Sequence, residues 1–354
     1  MRNRLGLLML LAVATAAAAS LLPFPPRTIE SLYSSSLYPA WQPLVTRLSN
    51  VTSIALLDWA LLGVIAIWIA ATARDLAGGF KRSRVTRILV RTVFYGAVLY
   101  VWFLVSWGLN YRRVPLIDTV QFDASAVTPE GARRLATATV ARLNQLYPDA
   151  HVVEQPTPDS VVDPLLAAAF RRTLQALGRP TVFLPGRPKH TLLDPYFRRA
   201  GIDGMTDPYF LETLIVSDLL PPERPFVIAH EWSHLAGIAD EGEANFVGWL
   251  TCMRGTASHQ YSGSLALYAE LGATVRGRER SQIAAQLGPG PRADLMAIAR
   301  RQQQINPQVA TVGWRIYDSY LKANHVESGT ASYAEMVRLV LGVRVATDGT
   351  PLRR

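Results

Sequence analysis

The chain has 354 residues, 49% of them hydrophobic and 18% charged, with one cysteine and a formal net charge of +9. That length supports one or two domains with substantial cores. The low charged fraction excludes a disordered chain, and the single cysteine excludes an internal disulfide framework and any multi-cysteine zinc site. A mean hydropathy of +0.14 points to a membrane, while the positive charge invites a nucleic-acid partner until its location is known.

Three apolar runs open the chain: Leu5 to Leu22 behind Arg2 and Arg4, Ile54 to Ala73 with Asp58 as its only charge, and Thr92 to Leu109. Each is about long enough to cross a hydrocarbon core of about 30 Å as a helix. Three N-terminal transmembrane helices are therefore expected, and no later stretch qualifies. The first run also fits a cleaved signal peptide, although its length favours an uncleaved span. Arg2 and Arg4, together with Arg74, Lys81, Arg82, Arg84, Arg87 and Arg91 against Asp75, hold seven of the nine net positive charges. Positive residues mark the cytoplasmic side. The N-terminus and the second loop are thus expected inside, and everything after Asn110 outside, in a multi-pass protein of the cell membrane. Residues 92–354 carry only +2, which removes the electrostatic case for nucleic acid and leaves the lipid bilayer as the partner the charges record. Trp102, Trp107 and Tyr111 fit an aromatic belt. Asp58 reads as an acid that snorkels to the interface or bonds a neighbouring helix rather than an ion site.

Residues 1–110 are thus a membrane domain and 111–354 a second domain, mainly α with a small sheet. Thr128-Pro129 opens a helix to about Leu146. Val161 to Leu177 is a second amphipathic helix, closed by Gly178. Thr181 to Leu184 and Leu214 to Val216 read as short strands. Helices then follow over about 226–236, 241–254, 262–275, 291–304, 307–323 and 331–341.

The sharpest chemical signal is His230-Glu231-Trp232-Ser233-His234, an H-E-x-x-H. On a helix, histidines four apart project from one face and can share one Zn²⁺, and the glutamate between them can act as general base on a zinc-bound water. A catalytic zinc needs a third protein ligand and an open position. Asp240, Glu241 and Glu243 follow within reach. Asp240 and Glu243 also read as the N-cap and third position of a capping box. Residues 230 to 240 resemble the metzincin pattern with aspartate in the third-ligand place. Glu241-Gly242-Glu243-Ala244-Asn245 resembles the E-x-x-A-D segment of gluzincin peptidases, in which the glutamate binds zinc and the residue four further on supports a ligand histidine. Glu241 is ranked first, with Glu243 and Asp240 left open.

The stretch Pro225 to Cys252 resembles the signature of an uncharacterised bacterial membrane-protein family catalogued as domain of unknown function 3810. Trp107 to Tyr111 and Tyr317 to Asn324 resemble it too. The resemblance covers most of the chain and implies a zincin-type metalloprotein behind three N-terminal spans. The family pattern keeps both Glu241 and Glu243 and an acidic position near Glu212.

Zincins use a Tyr or His to stabilise the oxyanion, for which His259, Tyr261, Tyr317, Tyr320 and His325 are candidates, each more readily explained by packing. Cys252 reads as a small buried hydrophobe. The leading expectation is a membrane-anchored zinc metallopeptidase, with Zn²⁺ on His230, His234 and Glu241, Glu231 as base, and a peptide or protein of the cell envelope as substrate. The alternative is a non-catalytic envelope protein with a closed four-ligand or degenerate site. Cleavage within the bilayer is disfavoured, because the motif lies more than 100 residues beyond the last span.

Overall fold

The computed structural model describes residues 9, 11, 13–16, 24–77, 79, 81–152, 161–323 and 335–354, without the side chains of residues 316, 317 and 319–323. Most of the expected first span, His325, and the side chains of Tyr317 and Tyr320 lie outside this description.

Chain between the first two apolar runs, expected only as a connecting loop, is helical. A turn at Pro26–Ile29 leads into a π-helix, Glu30–Leu37, where the Tyr38 amide donates to the Tyr33 carbonyl, and then into α1, Tyr38–Ser49. Two further helices, α2 (Leu56–Ala77) and α3 (Arg82–Ser106), are long and apolar enough to cross a membrane. Helix α3 starts ten residues before the uncharged run that marks it. Arg87 and Arg91 in that extension reach Asp75 at 2.8 and 2.9 Å, near the end of α2, so they are accommodated as helix.

The remaining chain is mainly helical around a small sheet. Helix α4 (Pro129–Ala150) is capped by Thr128, whose side chain accepts from the Gly131 amide. Helix α5 (Pro164–Ala176) is capped by Asp163. After β1 (Pro188–Lys189) and the short α6 (Asp194–Ala200) come β2 (Gly204–Asp207) and β3 (Glu212–Ile215). The sheet order is β1-β3-β2, with β1 parallel and β2 antiparallel to β3. Helices α7 (Arg224–Leu235), α8 (Glu241–Met253), α9 (Ala257–Thr274), α10 (Gly277–Ala284), α11 (Pro289–Gln302), α12 (Pro307–Ala323) and α13 (Glu335–Gly342) complete the described chain.

Thr181 to Leu184 is not a strand. The Leu184 amide donates to Gln42 Oε1 at 3.1 Å and its carbonyl accepts from Gln42 Nε2 at 2.7 Å, so a side chain of α1 takes the bonds a neighbouring strand would have supplied. Helix α9 begins five residues earlier than expected. There Thr256 and His259 form a capping box, in which the imidazole replaces the usual Glu or Gln.

One buried cluster runs through both halves of the chain. It joins Tyr33, Tyr38, Phe103 and Trp107 to Phe170, Leu214, Ile228, Trp232, Leu235 and Phe246. Polar bonds follow the same path. Glu212 of β3 accepts the Leu56 and Leu57 amides at 3.1 and 3.0 Å, capping the otherwise orphaned N-terminus of α2. Lys189 of β1 pairs with Glu212 at 2.6 Å, both side chains fully buried. Asp58, in the first turn of α2, accepts from Thr191 Oγ1 and the Leu192 amide, so its partner is the sheet side of the molecule rather than a neighbouring membrane helix. The β2–β3 turn is held by Ser106 Oγ on the Pro208 carbonyl, Trp102 Nε1 on that of Tyr209 and Thr46 Oγ1 on that of Leu211. These bonds hold Leu211 at a left-handed φ of 53°, a conformation that costs energy outside glycine.

Candidate metal centre

Helix α7 carries the H-E-x-x-H motif through the core. Val227, Ile228, Ala229, Trp232, Ser233 and Leu235 are buried. Trp232 Nε1 donates to the Gly186 carbonyl at 2.9 Å and Ser233 Oγ to that of Ala229, so both are occupied structurally. The helix ends in a Schellman motif. Gly237 takes a φ of 82°, its amide donates to the His234 carbonyl at 2.8 Å, and the Ile238 amide donates to that of Ser233 at 3.0 Å. A β-carbon at Gly237 would lie 2.9 Å from Asn110 Oδ1, so glycine is needed there for its conformation and for space. The end of α3 grips this terminus: Trp107 Nε1 donates to the His234 carbonyl at 2.7 Å, beside Tyr38 OH on that of Leu235 at 2.7 Å.

The chain then turns into α8. Asp240 caps it, accepting from the Glu243 amide at 3.0 Å. The return half of the expected capping box is not made, because the Glu243 carboxylate accepts from the Leu116 amide instead. Gly248 allows α8 to approach closely, since a β-carbon there would sit 3.0 Å from the His230 amide nitrogen.

This approach brings His230, His234 and Glu241 together. Their Nε2, Nε2 and Oε2 atoms form a triangle: 3.1 Å between the imidazoles and 3.4 Å from each to the carboxylate. Zinc holds nitrogen and oxygen ligands at about 2.0–2.1 Å in a tetrahedron, whose edges are then about 3.3 Å. The three atoms therefore stand at the spacing of one tetrahedral face, and this donor set fits zinc. His234 Nδ1 lies 2.8 Å from the Ile238 carbonyl, which places a proton on Nδ1 and, in the neutral ring, leaves the Nε2 lone pair for a metal. His230 Nδ1 is buried without a hydrogen-bond partner, so the support expected from Asn245 is not made.

Burial opposes charge on His234 and Glu241, but their mutual field overrides it. Burial alone would depress His234, yet the neighbouring Glu241 carboxylate pushes it up to about 9. Burial would raise Glu241, yet the two imidazoles hold its carboxyl well below the usual range. Metal binding needs both imidazoles neutral, so a cation would compete with a proton at this cluster. Glu231, also buried, is raised by burial against the lowering effect of His230 and His234. Thr206 Oγ1 of β2 shares its one proton between the Glu231 carbonyl at 2.7 Å and Glu231 Oε2 at 3.0 Å. Gly204 on the same strand leaves room for the carboxylate, since a β-carbon would fall 2.8 Å from Oε1. Sequence reasoning missed Thr206, Gly204 and Trp107 as site residues. Only Trp107 carried a signal, in the stretch shared with the family.

Other candidates are engaged elsewhere. His259 Nε2 lies 2.9 Å from Asp163, tying α9 to the cap of α5, and Tyr261 OH donates to Asp294 at 2.6 Å. His151 is exposed yet lies 3.1 Å from Asp294. Cys252 is fully buried and burial pushes its thiol up, as fits a packed hydrophobe.

A family model described as a protein of unknown function, DUF3810, matches residues 33–341. No curated protein and no solved structure matches the chain.

Proposed function

The chain belongs to the DUF3810 family, and within it we propose a membrane-anchored zinc metallohydrolase of zincin type, most simply a peptidase. The observation that carries this reading is the tetrahedral-face spacing of His230, His234 and Glu241 beside the buried Glu231 carboxylate. The three apolar runs add three spans, and the positive-inside argument adds a cytoplasmic N-terminus and an extracytoplasmic site.

Zinc held by these three residues would polarise a substrate carbonyl and acidify a water. The protein's own groups do the rest. Thr206 occupies Glu231 Oε2, which leaves Oε1 to take the proton of the attacking water and return it to the leaving amine. A carboxylate whose basicity is raised by burial suits that role. Strand β2 stands at the sheet's edge, directly over α7 through Thr206 and Gly204. An extended peptide added to that edge would lie across the site with its backbone fixed, which favours a peptide or protein substrate.

A closed structural zinc site would need Glu243 or Asp240 as fourth ligand. The use of Glu243 on Leu116 and of Asp240 as a cap supports an open fourth position instead. The test pairs metal analysis with a peptide library. Wild type should bind one zinc and cleave, and Glu231→Gln should keep the zinc while losing about 10²–10⁴-fold in rate. Zinc bound without cleavage of any peptide would favour the structural site.

A further inference from the structure

Helix α1 is built inside out for a water-facing helix. Its polar side chains point into the protein: Gln42 pairs with Leu184, Thr46 Oγ1 donates to the Leu211 carbonyl at 3.0 Å, and Tyr38 OH bonds Leu235. Tyr38, Gln42, Thr46 and Ser49, spaced by four, four and three, are all buried. Along the other side of α1 and onto the residues flanking it run Leu37, the half-buried Trp41, Leu44, Leu48 and Val51, spaced by four, three, four and three, one stripe at helical spacing. Leu37, Leu44, Leu48 and Val51 are 66%, 58%, 71% and 81% exposed. Single exposed leucines need no explanation, but a continuous stripe does.

The stripe also continues into the membrane helices. Ile54 and Trp59, at the connection to α2 and in its first turns, are exposed in sequence with it. Trp41 meets Trp102, near the end of α3, edge to face at 5.8 Å, and Tyr33 OH donates to the Val105 carbonyl at 2.8 Å. Indole rings gather where a bilayer meets water. Arg47, the one charge of α1, is exposed beside the stripe and long enough to reach headgroup phosphates while its stem stays in apolar surroundings.

We propose that α1 is an interfacial helix, with Leu37, Leu44, Leu48 and Val51 embedded in the acyl boundary of the leaflet that α2 enters. A helix lying in that plane buries its apolar face about 5–10 Å into the headgroup and acyl region. Because its polar face is bonded to the β2–β3 turn and to the end of α7, the helix seats the metal centre on the bilayer surface. The inference rests on α2 and α3 being spans and is independent of the metal.

The test uses full-length protein in phosphatidylcholine vesicles, with an environment-sensitive dye on Leu44→Cys or Leu48→Cys. Arg171→Cys, exposed on α5, is the aqueous control, and native Cys252 is buried from the reagent. The dye at 44 and 48 should be quenched by lipids brominated near the top of the acyl chain and shielded from aqueous iodide, with the reverse at 171. Iodide quenching at 44 and 48 equal to that at 171 overturns the proposal. So does shielding from both quenchers with energy transfer between labelled copies, which assigns the stripe to a second copy. Alkaline carbonate reads the spans separately: release of the protein would remove the premise, and retention leaves the quenching to decide.

Discussion

Single residues at the centre have separable jobs, and substitutions should separate them. Glu241 stands 3.4 Å from both imidazoles, whereas Glu243 turns away to the Leu116 amide. Glu241→Ala should abolish zinc retention. Glu243→Gln should leave it intact, because an amide oxygen still accepts from Leu116. Zinc analysis after dialysis decides, and full retention in Glu241→Ala would sink the assignment. Gly204→Ala tests the base in a different way. Its new carbon would fall 2.8 Å from Glu231 Oε1 and displace the carboxylate without touching a ligand. Misplacing a catalytic group by about 1 Å costs on the order of 10²-fold. The expected result is that loss in peptide cleavage with zinc content and thermal unfolding unchanged.

At the level of elements, the two helices that carry the proposed ligands were legible because their signals are local. The periodic apolar residues, Gly237 and Asp240 placed the ends of α7 and α8 within two residues. That Glu241, rather than Glu243 or Asp240, lies beside the two histidines was not fixed by spacing, because it depends on the tight α7–α8 approach through Gly248 and on Leu116 claiming Glu243. The Thr181–Leu184 strand failed for a similar reason: its backbone partner is the distant Gln42 side chain, which no local pattern announces. The acid at Glu212, opaque in the sequence, caps a helix more than 150 residues away. The C-terminus of α7 offers a sharp test of element-level packing. Placing an L-residue in the left-handed region costs about 1–2 kcal/mol, and at Gly237 the added carbon also meets Asn110. Gly237→Ala should therefore lower unfolding stability by at least about 1–2 kcal/mol and weaken zinc, since Ile238, which orients His234, follows directly. Wild-type melting behaviour with wild-type zinc affinity would show that the α3–α7 contact is slack.

Across the whole molecule, the two helices long and apolar enough to cross a membrane and the candidate metal centre are parts of one packed body. Trp107 from the end of α3 bonds the His234 carbonyl, Tyr38 from α1 bonds that of Leu235, and Glu212 in the sheet caps α2. A zinc finger unfolds without its metal because the metal supplies most of its folding energy. Here the proposed ligands sit on helices already held by the core cluster that includes Ile228, Trp232, Leu235 and Phe246. Removing zinc should therefore leave the helices formed while subtracting only the binding linkage, about 4 kcal/mol when free zinc stands a thousandfold above its Kd. Chelator-treated protein in detergent should keep its far-ultraviolet circular dichroism and melt at a lower temperature, with the shift reversed by zinc and absent in Glu241→Ala. Loss of helical signal on chelation would mean that the metal assembles α7 and α8, and that the packing around Trp107 and Tyr38 does not hold the site open for it.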